Sequence, residues 1–295
     1  MPLQDLIITV FCKVCQLLND NNLTKLRKRG PAPKLDDAEV ITMQLIAESL
    51  KISEDIEIWR FFKNSYLHYF PNIGSRSSFC KQMANLYLVE KRLQCLLVYE
   101  MKAQESKIQI IDGVPIPVCH FARAKSSKGF KAEADYGYCA SKKQTYFGFK
   151  GHVLISENGV ICGFTLTAAS KSERSAVWET CKTSIPLLLG DKGYLGDDFQ
   201  QELLQSRAIN LQTSLRKNMK ETRSKAFVSS MMSKRRKVET VIGQLTERFS
   251  LNVVKARNIW RASARITRKI LAHTMLAYIR AKGGPECLDF NALFI

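Results

Sequence analysis

Apolar residues recur at helical spacing from the first turn of the chain. Leu3, Leu6, Ile7, Val10, Phe11, Val14, Leu17 and Leu18 share one side of a 3.6-residue repeat and predict an amphipathic helix ending near Asn19. Asp36 and Asp37 open a second helix, with Val40, Ile41, Leu45 and Ile46 inward, and Ser53 with Glu57 marks the start of a third. From 77 to about 102 the stripe Phe79, Met83, Leu86, Leu93 and Leu97 predicts one long helix. Between the first two helices, 24–34 holds five basic residues, no acid, and Gly30, Pro31 and Pro33, the composition of a charged loop.

Near residue 105 the pattern changes. The run KIQIIDGVPIP reads as a strand over 108–112 that Pro115 stops, and 147–155 and 160–167 are β-rich stretches joined by the hairpin signal Glu157-Asn158-Gly159. Ser172 and Glu173 begin a helix through Thr180, a short apolar strand leads into Gly190-Asp191, a helix follows at 197–206, and 209–215 is again a strand. A further helix carries the stripe Val238, Val241, Ile242, Leu245 and Phe249. The strand-like NVVKARN precedes a last helix with Arg261, Arg265, Arg268 and Lys269 on one side and Ile266, Ile270 and Leu271 on the other. The alternation predicts an α/β domain over 105–282, preceded by an all-helical region, 1–104, and followed by a tail, 283–295.

At 295 residues and 45% hydrophobic, the chain is long enough for one large domain or two ordinary ones. Charge narrows the partner. The formal balance is +18, and 216–280 alone contributes +14, which points to a polyanion. No apolar run approaches the roughly 18 residues needed to span a bilayer, and Asp5 with no leading cation makes the amino terminus a poor signal peptide. A cytoplasmic protein without a membrane partner is expected. The nine scattered cysteines suit reduced thiols, and the lone CxxC at Cys12 and Cys15 lies on the apolar side of a helix, where packing explains it.

The chemistry concentrates in three acids. Asp112 and Asp191 each follow an apolar strand, where open sheets present functional groups, and Glu239 lies at the edge of its helix's apolar stripe. Taken singly, each has an ordinary explanation: a turn-forming aspartate, or a helical glutamate paired with Arg235 or Arg236. Together, three carboxylates in a basic protein are explained by divalent cations with oxygen ligands, two of which about 4 Å apart suit phosphodiester chemistry.

At these residues the chain resembles a known family. The segments IIDGVPIPV, YGYCASKKQTYFGFKGHVLI, GFTLTAAS, LLLGDKGYLGDDF and RRKVETVIGQLTERF look like the DDE transposases of bacterial insertion sequences, over about residues 105–280. The resemblance implies an RNase H-like fold, a mixed sheet flanked by helices. It also implies Asp112, Asp191 and Glu239 as the catalytic and metal-binding triad, Mg²⁺ as cofactor with Mn²⁺ able to substitute, and cleavage at transposon ends followed by strand transfer. The implied partners are double-stranded DNA, as transposon ends and target, and further copies of the chain on DNA. The gap of 47 residues between Asp191 and Glu239 has no room for a large inserted domain.

Lys192, Arg235, Arg236, Lys237 and Arg265 are candidate phosphate contacts. Lys192 and Tyr194 follow Asp191 directly, whereas Asp197 and Asp198 read as helix-start residues. His152 reads as a hydrogen-bonded strand residue, and Glu173 as a helix-start acid that could stand near metals. Two other functions fit the same residues: a metal-dependent nuclease without strand transfer, and a DNA-binding regulator whose acids are structural.

Overall fold

The computed structural model describes residues 1–23, 33–126, 129–140, 143–284 and 286–294, so most of the basic loop expected over 24–34 lies outside the described residues. The elements run α1 (Leu3–Asp20), α2 (Asp37–Ser49), α3 (Asp55–Ser65), α4 (Arg76–Asn85), α5 (Tyr87–Glu100), β1 (Ile108–Cys119), β2 (Asp135–Cys139), β3 (Gln144–Ser156) and β4 (Ile161–Ala168). They continue with α6 (Glu173–Thr180), β5 (Ile185–Gly190), α7 (Asp197–Arg207), β6 (Ile209–Thr213), α8 (Lys225–Glu247) and α9 (Ile259–Gly283). Two compact units result. The first gathers Met1–Met101, Leu245–Leu251 and Lys255–Ile295, the second Lys102–Gln244 and Asn252–Val254.

The first unit is helical. Asp36 and Glu39 form a reciprocal cap that starts α2, and nearly every residue of α2 is buried. The helix expected over 77–102 is interrupted at Leu86, just after the poor helix former Asn85, so that α4 packs on α2 and α3 while α5 packs on α1 and α9. The last helix, placed by its sequence position with the α/β stretch, packs on α2 and α5 in this first unit. Its basic side is not the open face that the spacing suggests. Arg268 and Lys269 are buried and reach Glu48 of α2 at 2.5 and 2.8 Å, and Arg268 and Arg265 reach Asp55 of α3 at 2.8 and 2.9 Å. Beside them, burial pushes Glu90 up to about 8, so it is neutral at pH 7, with one oxygen 2.6 Å from Gln44 Nε2.

The second unit is built on one mixed sheet. Its order is β4-β3-β1-β5-β6, with β2 alongside the first half of β3; β4 and β1 are antiparallel to β3, whereas β1, β5 and β6 are parallel. Helices α6 and α7 cover it, burying Val177, Leu203 and Tyr194 against Ile111, Leu154, Leu188 and Leu211. The β3–β4 turn passes through Gly159, whose φ of +90° only glycine adopts freely, as the hairpin signal predicts.

Three expectations change. β1 does not stop at Pro115 but runs to Cys119, which places Asp112 inside a strand. β5 pairs β1 only as far as Ile110, so the flank of β1 beyond Asp112 is open, and prolines there cost no ladder bond. β2, with its glycine and polar residues, escaped the hydrophobic pattern. Residues 252–258 form no strand, because no neighbouring strand is there to pair with them.

Candidate active site

The parallel register of β1 and β5 pairs Ile108 with Leu187, Gln109 with Leu188 and Ile110 with Leu189. Asp112 and Asp191 each lie two residues beyond the last of these pairs, and the charge of Asp191 is felt at Asp112. Each aspartate is held by a backbone N–H that follows it in the chain. Asp112 Oδ1 accepts from Gly113 N at 2.8 Å, and Asp191 Oδ1 accepts from Gly193 N at 2.7 Å, capping the 3₁₀ turn Lys192–Tyr194. The turn-forming explanation of Asp191 is therefore real, and it leaves one carboxylate oxygen directed elsewhere.

Glu173 joins this pair. Ser172 caps α6 by accepting from Ser175 N at 3.3 Å, which makes Glu173 the first residue of the helix. Its carboxylate lies over the bare backbone of Gly113 and Gly193. A Cβ on Gly193 would overlap the carboxylate outright, so glycine there permits the close approach, whereas one on Gly113 would stand 3.4 Å from Oε1 in ordinary contact. Lys150 of β3 donates to the same Oε1 at 3.2 Å.

The electrostatics follow from that crowding. Burial, and after it the charges of Asp191 and Glu173, push Asp112 up to about 6, against the pull of the Gly113 N–H and of Arg235. Tyr194 is 0% exposed, and its hydroxyl has no hydrogen-bond partner among the described residues. Burial and the neighbouring charges of Glu173, Asp112 and Asp191 drive that phenol well above its ordinary range.

Glu239 stands apart. It is exposed on α8, one turn after Arg235 and on the same helix side, and it is Arg235 whose charge is felt at Asp112. Among the described residues no group of three or more His, Cys, Asp or Glu is close enough to hold a metal ion. What the fold assembles is a carboxylate pair, Asp112 and Asp191, with Glu173 beside it. Mg²⁺ is commonly held by one or two carboxylates, its remaining positions taken by water and substrate phosphates, and such a cation would offset both the burial and the added repulsion from Asp191 that raise Asp112. The donor set therefore fits a hard divalent ion.

The basic candidates divide. Lys192, Arg236 and Lys237 are exposed; Arg235 is half-buried and donates to Ser214 Oγ at 3.3 Å; Arg265 belongs to the first unit and is paired with Asp55. Lys234, from the same basic run, is paired with Glu157. His152 is buried, 3.0 Å from Thr167 Oγ1, and pushed down to about 4, which agrees with an ordinary hydrogen-bonded strand residue. Glu173 is visible in the sequence as an acid, but its place beside the aspartates depends on how α6 packs on the sheet, which spacing along the chain does not encode.

Among the described residues no helix is long and apolar enough to cross a membrane. No curated protein and no solved structure gives a match. A family model described as "Transposase DDE domain" matches residues 102–259, the stretch that contains the mixed sheet, the aspartate pair and Glu239. That match covers more than half of the chain, which therefore belongs to the transposase DDE domain family.

Proposed function

We propose that this protein cuts DNA at the ends of a mobile element and joins the freed 3′-hydroxyl to target DNA, with Asp112, Asp191 and Glu239 as its catalytic acids. Membership of the family supports transposition-related cleavage of DNA, and enzymes of this family generally use divalent metal ions. The single observation that supports the residue assignment is that Asp112 and Asp191 each lie two residues beyond the last pair of the adjacent parallel strands β1 and β5.

Asp112 and Asp191 would hold the divalent ion through their carboxylate oxygens, Mg²⁺ being the natural choice and Mn²⁺ a substitute. When bound, such an ion supplies positive charge that activates the attacking water or hydroxyl and stabilises the leaving oxygen. The chain does the rest. The Asp191 turn presents exposed Lys192 beside the carboxylates, where its ammonium can meet a phosphate. Arg235, whose charge is felt at Asp112, would offer a guanidinium to the same phosphate, while Arg236 and Lys237 add exposed charge along α8. Glu239, one turn beyond Arg235 on the same helix side, would be the third acid. Several copies of the chain would act together on paired ends.

The test uses a labelled duplex carrying the DNA that flanks the coding region, with Mg²⁺ or Mn²⁺, and follows binding, cutting and joining separately. Asp112→Asn, Asp191→Asn and Glu239→Gln should each abolish cutting while leaving binding in place, and Glu247→Gln, two turns along the same helix, should cut normally. Cutting by Glu239→Gln at the parental rate would remove Glu239 from the assignment. Cutting without joined products would reduce the activity to that of a nuclease.

A further inference from the structure

β2 is an edge strand with an unusual outer surface. Tyr136 and Tyr138, two residues apart and so on one face, are 41% and 63% exposed, and Phe121 beside them is 51% exposed. Phe121 and Tyr136 form a connected set with a buried ring, and Tyr138 stands next to them along the strand. Phe121 meets Tyr136 edge-on with centroids 5.7 Å apart, and Tyr136 rests at 5.1 Å on Phe147, which is buried in β3 and holds the set from beneath. Backbone pairing of Tyr136 with Phe147 and of Tyr138 with Thr145 keeps both tyrosines from collapsing onto the sheet.

The surroundings are cationic. Residues 120–143 contain six Lys and Arg against two acids, and one of those acids, Asp135, is exposed but engaged with the Tyr136 N–H and Ser170. Exposed Arg123 follows Phe121 by two residues, and exposed Lys143 lies just before β3, next to the Tyr138 end of β2. Exposed aromatic faces among cations suit unpaired nucleotides, whose bases offer faces to stack and whose phosphates offer negative charge; a duplex keeps those faces to itself.

We propose that Phe121, Tyr136 and Tyr138 form a stacking platform for unpaired nucleotides of the DNA strand being processed. This rests on the reading that DNA is cut at Asp112 and Asp191. The platform is tied to that site through β1: Asp112 lies in this strand, whose last residue, Cys119, pairs with Phe147, itself paired with Tyr136. At about 3.3 Å per residue the separation along the strand is roughly 20 Å, or about six stacked nucleotides at 3.4 Å each. The platform would thus hold a frayed or cut strand a few nucleotides from the scissile phosphate.

Fluorescence anisotropy with the full-length protein in EDTA tests this, using labelled blunt duplex, the same duplex with an overhang of about six nucleotides, and oligo-dT. The overhang duplex should bind more tightly than the blunt one. Tyr136→Ala or Tyr138→Ala should remove the difference, lowering affinity for unpaired DNA roughly 5- to 100-fold per ring, the worth of one stacked base. Blunt-duplex affinity should stay unchanged. Tyr138→Phe, which keeps the ring, should behave like the parent, as should Tyr99→Ala, an exposed ring on α5. Equal losses on blunt and overhang DNA, or no loss on either, would overturn the platform. So would a shift in monomer–dimer equilibrium with overhang binding intact, which would give this edge to a second copy of the chain. Asp112→Asn separates the two readings: it should keep the overhang preference, so a failure of cleavage chemistry and a failure of the platform appear in different assays.

Discussion

Asp112 concentrates the electrostatic strain of the second unit, and its protonation has two opposite consequences. Its carboxyl in the fold titrates near 6, above the value of about 3.9 in an unfolded chain. Between those values the native state holds a proton that the unfolded state has released, so this residue's contribution to stability falls as pH rises from about 4 to 6. Cation binding runs the other way, because the ligand must be deprotonated, and Mn²⁺ affinity should drop as pH falls below 6. Glu173→Gln removes one of the charges that raises Asp112, while its pairing with Lys150, part-exposed, is worth no more than about 1 kcal/mol. The Asp112 titration, followed by carboxyl ¹³C NMR, should therefore move to lower pH in Glu173→Gln with little change in melting temperature. An unmoved titration would mean that Glu173 is not felt at Asp112.

Among the elements, α9 shows how a basic helix side can be structural. Its pattern of Arg265, Arg268 and Lys269 opposite an apolar stripe is that of a nucleic-acid-facing helix, yet those side chains end on Glu48 and Asp55. Glu48 is 0% exposed and receives both Arg268 and Lys269. Removing it strands two buried cations, so Glu48→Ala should cost about 3–5 kcal/mol. Glu57→Ala, which loses only an exposed pair with Arg60, should stay within about 0.5 kcal/mol of the parent. Chemical denaturation of the two variants decides it; comparable midpoints would show that the buried network contributes little. β1 makes the parallel point for strands: whether Pro115 ends an element depends on the length of its neighbour β5.

For the molecule as a whole, the +18 charge makes binding to DNA strongly salt-dependent, but not every cation is available to phosphate. Within 216–280, Arg223, Lys234, Lys255, Arg265, Arg268 and Lys269 are engaged with acids of the chain itself. Arg235, Arg236 and Lys237 are paired with no acid among the described residues. Replacing those three by alanine should flatten the slope of log K against log salt by about 0.9 for each DNA phosphate that they neutralise in the parent protein. An unaltered slope would mark this run as a solvated helix face.

Local pattern in the sequence was enough to locate several parts of the molecule. Periodicity located α1 and α2, helix-start residues located α6 and α7, the turn chemistry of Glu157-Asn158-Gly159 located the β3–β4 hairpin, and apolar runs ending in aspartate singled out Asp112 and Asp191. What each pattern meets was settled only by packing. Packing carried β1 past two prolines because β5 leaves that flank open, and it turned the basic side of α9 onto acids more than 200 residues earlier. It brought Glu173, rather than Glu239, next to the aspartate pair. The physical reason is common to all three: hydrophobic spacing says which side of an element is buried, whereas the partner across a sheet or helix interface is set by packing between residues far apart in the chain.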